Sequence, residues 1–303
     1  NFQSLIATKA SRCVHAAGER SVVDFSLRRT QGIDAGMKVA RSSYLAGFAG
    51  TSNVRAGQCY GIPIVGTMAH SFISSFEHEI DAFRAFVTSF PNNSTLLIDT
   101  YDTVKGARKA VQVAGEIATR GQQLQGVRID SGDLAKLAAE VRQIFDAAGL
   151  KNVKIIGSGG LDEYDLAEYS NSKVPYDGYG VGTKMGVSAD APWSDIAYKL
   201  VEYDNRPVLK LSTGKVSLPG KKQVFRICDK QGQLQKDIVA LRGENVAGAE
   251  PLLKKVMAGG QVMASLPSLE EIRSVFLSEF ARLPEPIKAI RNSAHYIVEK
   301  SSK

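Results

Sequence analysis

The chain has 303 residues, of which 44% are hydrophobic, and a formal net charge of +7 at pH 7. This size allows one large α/β domain or two smaller ones, each with a sizeable core. No uncharged apolar run reaches the roughly 18 residues that span a membrane, and the first residues lack the pattern of a signal peptide. The three cysteines are far apart and lack zinc-site or disulfide-framework spacing. We therefore expect a soluble, cytoplasmic protein with no membrane partner.

The excess of positive over negative charge comes entirely from the last third of the chain. Residues 1–204 hold 21 Lys and Arg against 22 Asp and Glu, whereas residues 205–303 hold 17 against 9. These lysines are scattered, without an interleaved aromatic platform or a nucleic-acid-binding motif. The pattern therefore favours a solvated basic face or contact with a small anion, and we expect no nucleic-acid partner.

Between residues 22 and 181, short apolar runs alternate with amphipathic helical patterns. Seven runs are too apolar for half-solvated strands and fit a parallel sheet covered by helices: 22–25, 46–50, 62–66, 96–98, 126–129, 153–156 and 179–181. Helices are predicted between them at residues 71–88, 103–119 and 134–148. The pattern predicts an α/β fold, an irregular (β/α) barrel of about seven strands, with an open doubly wound sheet as the alternative.

Beyond residue 204 the chain changes to short segments interrupted by Pro and Gly, which is typical of antiparallel strands. A polar stretch, residues 229–266, then leads to a helix predicted at 268–281, with Ser268 as its N-cap. We therefore divide the chain into a lead-in segment (1–20), a barrel catalytic domain (21–205) and a carboxy-terminal segment (206–303) that belongs to a second, α+β domain.

Two pairs of aspartates follow predicted strands. GVRIDSGDL contains Asp130 and Asp133, and LLIDTYDT contains Asp99 and Asp102 at the same spacing. Strand ends are where α/β folds bind ligands, and carboxylates there suit Mg²⁺ that also contacts substrate phosphates. Helix N-capping is the alternative for one acid of each pair.

A histidine and two arginines also occupy predicted strand ends. His70, in GTMAHSF, stands between a predicted strand and a helix, where an imidazole can act as a base, nucleophile or phosphoryl acceptor, or cap the helix. Arg28 and Arg29 follow the first strand in DFSLRR. Their guanidinium groups could bind a carboxylate or phosphate bidentately, although a surface pair is the alternative.

Glycine-rich turns end the last two predicted strands, in IIGSGG (155–160) and GYGVGT (178–183). Glycines let backbone N–H groups approach an anion, and the last two loops of barrels frequently bind phosphate. Because no GK[ST] follows, the first turn is not a P-loop. The two turns together predict a phosphate site.

Eight motifs share the order and spacing of one enzyme family: DFSLRRTQG, GTMAHSF, LLIDTYDT, GVRIDSGDL, IIGSGG, GYGVGTKMG, AYKLVEY and LPGKKQVFR. Over most of its length the chain closely resembles nicotinate phosphoribosyltransferases. The resemblance implies ATP-assisted transfer of a phosphoribosyl group from phosphoribosyl pyrophosphate to nicotinate, a step of NAD biosynthesis. It also implies Mg²⁺ as cofactor, ATP as co-substrate and a homodimer with a shared active site.

The resemblance also assigns residues to the site. It implies that ATP phosphorylates His70 and that Asp130 is catalytic, and it implies nicotinate contacts for Thr67, Arg128 and Arg28. Asp99 and Asp130 are implied as Mg²⁺ ligands. Contacts with phosphoribosyl pyrophosphate are implied for Asp99, Ser131, Ser158, Gly159, Gly160, Gly180, Gly182 and Thr183.

Two departures from the family pattern are visible. Ser26 replaces the usual glycine of DFGLRR, and the family's amino-terminal domain, whose tyrosine stacks on nicotinate across a dimer interface, is not part of this sequence. We therefore expect this chain alone to be incomplete as an enzyme, and residues 206–303 to pack with that domain. The alternatives are a nicotinamide or quinolinate phosphoribosyltransferase, a sugar-phosphate barrel lyase or isomerase, or a silent phosphoribosyl-binding subunit. Ser52 favours nicotinate, because nicotinamide enzymes tend to have Asp there.

Overall fold

The structure is a computed structural model that describes residues 1–263 and 265–301. Its contacts divide the chain into two compact units, residues 1–193 and 194–303. The division predicted from the sequence lies further along the chain, after residue 205. The predicted lead-in (1–20) is mostly the first helix, which belongs to the first unit. None of the described helices has both the length and the apolar character that crossing a membrane requires.

Strands and helices alternate in the first unit. Its described strands are β1 (Ser21–Asp24), β2 (Gly50–Thr51), β3 (Thr95–Leu97), β4 (Gly126–Ile129), β5 (Lys154–Gly157) and β6 (Gly178–Val181). A 3-10 turn (Leu27–Arg29) follows β1. The helices are α1 (Phe2–Ala17), α2 (Ile33–Leu45), α3 (Val54–Tyr60), α4 (His70–Ser74), α5 (Glu79–Ser89), α6 (Thr103–Ala118), α7 (Leu134–Ala147), α8 (Glu163–Asn171) and α9 (Thr183–Gly186).

The strands of the first unit form one parallel sheet in the order β2-β1-β6-β5-β4-β3. Val23 of β1 pairs with Gly50 on one side and Gly180 on the other. The first strand therefore lies next to the last one, as it does in a barrel. The sheet is a curled parallel half-barrel, with the carboxyl ends of all its strands at the same edge.

The predicted count of seven strands was wrong, because the described sheet contains six. Residues 62–66 contribute a single bridge between Ile64 and Thr51. Thr51 N–H donates to Pro63 O and Val65 N–H donates to Thr51 O, each at 3.0 Å. Pro63 has no N–H with which to extend the ladder, and β2 has only two residues. Among the described residues no strand pairing links this segment to β3, so the barrel is open there.

Helices α6 and α7 match the helices predicted at 103–119 and 134–148. They bury one apolar face against the sheet, with Val113 and Phe145 fully buried. Helix α1 packs on α2 and α8. Its Lys9 and Arg12 bind the buried carboxylate of Glu163 at 3.0 and 2.9 Å, which joins α1 to the start of α8.

The helix predicted at residues 71–88 is instead two helices, α4 and α5. The hydroxyls of Ser74 and Ser75 donate to the carbonyls of Ser71 and Phe72 at 3.3 and 2.7 Å. Such local bonds compete with helix continuation. His78 then adopts an extended conformation as the N-cap of α5, so the prediction of one continuous helix was wrong.

The second unit is rich in strands. Its described elements are β7 (Glu202–Tyr203), β8 (Arg206–Pro207), β9 (Lys222–Cys228), β10 (Leu234–Leu241), β11 (Glu250–Pro251), β12 (Met257–Ala258), β13 (Gln261–Val262), α10 (Leu269–Ala281), α11 (Glu285–Lys288) and β14 (Ile297–Lys300). A four-stranded sheet has the order β11-β9-β10-β14. Helix α10 is the predicted helix and begins with a capping box between Ser268 and Glu271.

One arginine joins the sheet of the second unit to its main helix. Arg226 of β9 binds both carboxylate oxygens of Asp237 on β10 at 3.0 Å. Its remaining terminal nitrogen binds Glu279 of α10 at 2.7 Å. Strand β10 lies within residues 229–266, for which the sequence analysis named only a polar stretch and no strand, so this strand was missed.

Candidate active site

The turns at the carboxyl edge of the half-barrel surround a cavity of about 610 Å³. This is the edge at which barrel folds carry their ligand sites. The cavity is lined by Phe25, Leu27, Arg28, Arg29, Ser52, Gly66, Thr67, Met68, Ala69, His70, Arg128, Asp130, Ser158, Gly159, Gly160, Gly180, Gly182 and Thr183.

Most residues assigned to the site from the sequence line this cavity: Thr67, His70, Arg28, Arg128, Asp130, Ser158, Gly159, Gly160, Gly180, Gly182 and Thr183. Asp99 and Ser131 do not line it. Asp99 accepts hydrogen bonds from the backbone N–H of Asp130 and from the hydroxyl of Ser131. The family resemblance assigned no substrate contact to the other lining residues, which are Phe25, Leu27, Arg29, Ser52, Gly66, Met68 and Ala69. Each of them ends a predicted strand or closely follows one, so strand-end position was the signal that could have identified them.

Asp99 supports the turn that carries Asp130. One oxygen of its buried carboxylate accepts the backbone N–H of Asp130 at 2.9 Å and the hydroxyl of Ser131 at 2.6 Å. Asp130 Oδ1 accepts the hydroxyl of Ser158 at 2.5 Å. The turns after β3, β4 and β5 are therefore linked through these carboxylates.

His70 begins α4 and is half-buried beside the same carboxylates. Its Nε2 lies 3.8 Å from Asp130 Oδ2 and 4.0 Å from Asp99 Oδ1. Its Nδ1 lies 3.0 Å from the hydroxyl oxygen of Thr100. The histidine thus has one ring nitrogen facing two acids and the other facing a hydroxyl. Thr100 was not assigned from the sequence, although it directly follows Asp99.

The second aspartate of each pair caps a helix. Asp102 accepts the N–H of Lys105 at 2.8 Å at the start of α6, and Asp133 accepts the N–H of Lys136 at 3.1 Å at the start of α7. In each pair the second acid is therefore an N-cap, whereas the first lies within 4.0 Å of His70 Nε2.

Arg128 extends from β4 into the cavity, where it is partly buried. Its Nη1 donates to the hydroxyl of Thr67 at 2.6 Å, and its guanidinium lies 5.7 Å from the centre of the Phe25 ring. Its Nε is buried and has no hydrogen-bond partner among the described residues. Burial lowers the pKa of Arg128, and the nearby carboxylates of Asp130 and Asp99 oppose this shift. A bound anion would complete the environment of this cation.

Arg28 is presented to the cavity by a turn anchored on Asp24. The buried carboxylate of Asp24 accepts the N–H of Ser26 and the hydroxyl of Thr51, each at 2.8 Å. Burial raises the pKa of Asp24, and these hydrogen bonds oppose the increase. Arg28 is exposed beyond this turn and forms no hydrogen bond or ion pair with the described residues, so it is available to a ligand.

Two glycines are required by close packing around the cavity. Gly159 has a φ of 102°, and a β-carbon there would lie 1.9 Å from the carbonyl oxygen of Asp130. A β-carbon on Gly180 would lie 2.4 Å from the ring of Phe25. Side chains at either position would push apart the neighbouring turns, so the cavity wall depends on these glycines.

The cavity wall carries the guanidinium groups of Arg28, Arg29 and Arg128 and the carboxylate of Asp130. Among the described residues no group of three or more His, Cys, Asp or Glu side chains is arranged to hold a metal ion. Asp99 and Asp130 nevertheless supply two carboxylates, and Asp99 Oδ1 is buried without a hydrogen-bond partner in the described part of the chain. Mg²⁺ commonly takes one or two protein carboxylates together with water and substrate phosphate oxygens. The two acids therefore fit Mg²⁺ that binds together with a phosphorylated ligand.

The chain is similar to known proteins. Residues 20–214 match the model of the nicotinate phosphoribosyltransferase (NAPRTase) family, and residues 246–303 match that of the nicotinate phosphoribosyltransferase C-terminal domain. The nicotinate phosphoribosyltransferase pncB2 of Mycobacterium tuberculosis (strain ATCC 25618 / H37Rv) is 44% identical over 97% of this chain and 63% of its own length. The human nicotinate phosphoribosyltransferase is 30% identical over 100% of this chain and 71% of its own length.

Solved structures share the fold. The crystal structure of human nicotinic acid phosphoribosyltransferase superposes with a TM-score of 0.87 at 30% identity, covering 99% of this chain and 72% of that one. Nicotinate-nucleotide pyrophosphorylase from Pyrococcus furiosus gives 0.78 at 29% identity, covering 93% and 70%. This chain thus spans about two thirds of the length of these relatives. The chain belongs to the nicotinate phosphoribosyltransferase family.

Proposed function

We propose that this protein is an ATP-assisted nicotinate phosphoribosyltransferase of NAD biosynthesis. It converts nicotinate, phosphoribosyl pyrophosphate, ATP and water into nicotinate mononucleotide, pyrophosphate, ADP and phosphate. The observation that carries the proposal is that one cavity brings together the Arg128–Thr67 pair, His70 beside Asp130, and two glycine-rich turns. The names of the relatives support nicotinate as the accepting base.

Nicotinate binds next to Arg128, according to this proposal. Arg128 is a partly buried guanidinium that forms no ion pair with the described residues, although Asp130 and Asp99 lie near it, and it favours an anionic ligand. Nicotinate carries a carboxylate that nicotinamide lacks. Arg28 adds a second positive charge on the same cavity. Ser52 on the cavity wall contributes no charge, whereas an acid there would repel the carboxylate. Ser52 therefore supports nicotinate over nicotinamide.

The phosphoribosyl group occupies the side of the cavity formed by the turns after β4, β5 and β6. Asp130, Ser131 and Asp99 are the acceptors and donors proposed for the ribose hydroxyls. The 5-phosphate is assigned to the glycine-rich walls, through Ser158, Gly159, Gly160, Gly180, Gly182 and Thr183. Backbone N–H groups in such turns bind phosphate without requiring a cationic side chain.

In the transfer step, the nicotinate ring nitrogen forms a bond to the anomeric carbon of the ribose while the bond from that carbon to pyrophosphate breaks. The sugar develops positive charge as the leaving group departs, and the carboxylate of Asp130 stabilises it. Asp99 fixes the Asp130 backbone, so the carboxylate is oriented before the substrates bind. Asp130 and Asp99 would hold Mg²⁺, which neutralises charge on the leaving pyrophosphate when bound.

ATP acts through His70. A ring nitrogen attacks the γ-phosphorus of ATP, ADP leaves, and water later releases phosphate from the phosphohistidine. The carboxylates near Nε2 stabilise a positively charged imidazole ring while its nitrogen is bonded to phosphorus. This cycle couples ATP hydrolysis to a transfer that is otherwise poorly favourable.

The proposal is tested by incubating the purified full-length protein with phosphoribosyl pyrophosphate, Mg²⁺ and either nicotinate or nicotinamide, with and without ATP. Nucleotide products are separated by chromatography. We expect nicotinate mononucleotide to form and ATP to stimulate its formation. His70→Ala should abolish the stimulation and leave slow transfer, because the transfer step does not use the imidazole. His78→Ala is the matched control, since His78 is exposed and its side chain forms no capping hydrogen bond.

Several outcomes contradict the proposal. If His70→Ala still hydrolyses ATP in step with product, the phosphohistidine role is wrong. Preference for nicotinamide, or for quinolinate when it is supplied, would indicate the related phosphoribosyltransferases. A sugar-phosphate lyase or isomerase would show no ATP dependence, and a silent subunit would bind phosphoribosyl pyrophosphate without turnover.

The proposal also includes a cytoplasmic homodimer with a shared active site. The family resemblance supports the dimer, and the cysteines Cys13, Cys59 and Cys228, all free in the structure, suit a reducing compartment. Sedimentation equilibrium tests the dimer. A monomer at assay concentration with full activity would contradict the shared site.

A further inference from the structure

A lysine just beyond the last glycine-rich turn is fixed to the start of a neighbouring helix. Lys184 Nζ lies 2.8 Å from Asp162 Oδ2 and 3.3 Å from Asp165 Oδ2. The two acids form the capping box of α8, in which Asp162 Oδ1 accepts the N–H of Asp165 and Asp165 Oδ2 accepts the N–H of Asp162. The capping box holds both carboxylates in place, so Lys184 binds to a preformed pair.

This ion pair connects the two turns that line the proposed phosphate site. Residues 158–160 line the cavity just before α8, and Gly182 and Thr183 line it directly before Lys184. Strands β5 and β6 pair only at Ile156 with Gly178 and at Gly157 with Tyr179. Among the described residues no backbone hydrogen bond joins residues 158–162 to 180–184. The lysine thus supplies a connection that the sheet does not.

Lys184 and Asp162 both remain charged near neutral pH. The hydrogen bond to Asp162 raises the pKa of Lys184 above its ordinary 10.5. Burial opposes ionisation of Asp162, but the hydrogen bond from Lys184 and the backbone donors lower its pKa below 3.8. Lys184 itself is 43% exposed and does not line the cavity. Asp162 is largely buried, but because Lys184 is partly exposed the pair contributes little to global stability, so its expected effect is on local geometry.

We infer that Lys184 is a positioning residue that holds the Gly182–Thr183 turn at the distance from the Ser158–Gly160 turn that a sugar phosphate requires. The inference rests on the proposed function, because it takes the bound phosphate to contact both turns. An anion held by backbone N–H groups from two turns loses contacts on one side if the turns separate. Lys184 therefore sets the affinity for the phosphoribosyl substrate without touching it.

The test compares Lys184→Met, which keeps most of the aliphatic stem and removes the charge, with Lys184→Arg, which restores it. Kinetics give KM for each substrate and kcat, and calorimetry gives Kd for ribose 5-phosphate as a probe. For Lys184→Met we expect KM for phosphoribosyl pyrophosphate and Kd for the probe to rise about tenfold, or about 1.4 kcal/mol. KM for nicotinate and kcat should stay within about twofold, and Lys184→Arg should recover most of the affinity.

Lys109→Met is the matched control. Lys109 Nζ binds the buried carboxylate of Glu79 at 2.8 Å, joining α6 to α5 away from the cavity. We expect this variant to lower Tm at least as much as Lys184→Met, because it leaves a buried acid unpaired, but to leave both affinities unchanged. Asp165→Asn provides a second test, since an amide retains the capping acceptor while removing one charge that Lys184 binds.

The outcomes separate this inference from the proposed function. Unchanged KM and Kd in Lys184→Met would overturn the positioning role alone. Equal losses in kcat and in both KM values would do the same, since they would indicate a general structural defect. A wild-type protein that binds no ribose 5-phosphate would refute the phosphate assignment in the proposed function, and the positioning role with it.

Discussion

The two ring nitrogens of His70 have different neighbours, and this difference defines what the residue can do. Nε2 faces the carboxylates of Asp99 and Asp130, whereas Nδ1 lies 3.0 Å from the hydroxyl of Thr100. A hydroxyl can either donate to or accept from an imidazole nitrogen, so Thr100 orients the ring in both protonation states. The threonine thereby limits the ring rotations that would move Nε2 away from the acids.

We predict that Thr100→Val, which preserves shape and removes the hydroxyl, slows phosphohistidine formation about fivefold. This corresponds to the roughly 1 kcal/mol of one hydrogen bond. Incorporation of radiolabelled phosphate from ATP measures the rate, and nitrogen-15 NMR of the imidazole reports its tautomer. Thr88→Val is the control, because among the described residues the Thr88 hydroxyl bonds only to the carbonyl of Arg84 on α5. An unchanged rate with an unchanged tautomer would show that Thr100 does not orient the ring.

Asp24 leads to a prediction about pH. Burial raises its pKa above the ordinary 3.8, so the folded protein retains this proton to a higher pH than the unfolded chain does. The free energy of unfolding therefore falls as pH rises from about 4 through the folded pKa, and the loss is constant above it. Asp24→Asn removes this titration, and its amide can still bond to Ser26 and Thr51.

The stability of Asp24→Asn relative to wild type should therefore increase with pH across that window. Urea unfolding between pH 4 and 8 measures the difference. Asp34→Asn is a control, since Asp34 is exposed on α2 and pairs with Lys38 at the surface. A stability of Asp24→Asn relative to wild type that falls as pH rises would contradict the assigned direction of the pKa shift.

For single residues, the sequence could identify members of the site where the position on a strand already determines which edge of the sheet the side chain reaches. Asp99 and Asp130 could be singled out because residues at strand ends reach the carboxyl edge of a parallel sheet, whereas Arg128, inside β4, was assigned only through the family resemblance. The contacts of Thr100 and Lys184 could not be predicted, because each depends on how separate βα units approach one another. No local spacing in the sequence encodes that approach.

At the level of elements, the segment between β4 and α7 combines two functions within four residues. Asp130 faces the cavity, whereas Asp133 caps α7. We predict that Asp133→Ala lowers the free energy of unfolding by about 1 kcal/mol, the usual effect of losing an N-cap, with transfer within about threefold of wild type. Asp130→Asn should leave stability within about 0.5 kcal/mol and reduce kcat at least about 100-fold.

Chemical denaturation and steady-state kinetics on Asp133→Ala and Asp130→Asn check that the first acid acts in transfer and the second in stability. Asp102→Ala serves as a second capping control, because Asp102 caps α6 in the same way. If Asp133→Ala lost most of its activity at unchanged stability, the two acids would not have separate roles.

The elements that differ from prediction do so for local reasons. Residues 62–66 are apolar enough for a strand, but Pro63 removes a donor and the two-residue β2 offers little to pair with. The apolar periodicity of residues 71–88 continues across the break between α4 and α5, so periodicity alone could not locate it. Hydroxyl-to-carbonyl bonds from Ser74 and Ser75 favour the break. Continuous apolar runs without such interruptions, as in β4 and β6, were predicted well.

At the scale of the molecule, the repeated βα pattern predicted a parallel sheet but could not decide how far it closes. Pairing of β1 with β6 distinguishes the half-barrel from an open doubly wound sheet, and that pairing joins the two ends of the first unit's sequence. The strands of the second unit were harder to predict, because its longest strand, Leu234–Leu241, lies in a stretch with many polar residues.

The opening in the half-barrel affects how residues 66–70 can move. After Val65, the backbone N–H groups of residues 66–69 form no hydrogen bonds with other described residues, so side chains such as Thr67 hold this segment in place. It can therefore change conformation without breaking a rung of the sheet, at a free-energy cost well below that of global unfolding. The proposed histidine cycle, in which His70 meets first ATP and then water, would thus proceed on a scaffold that stays rigid.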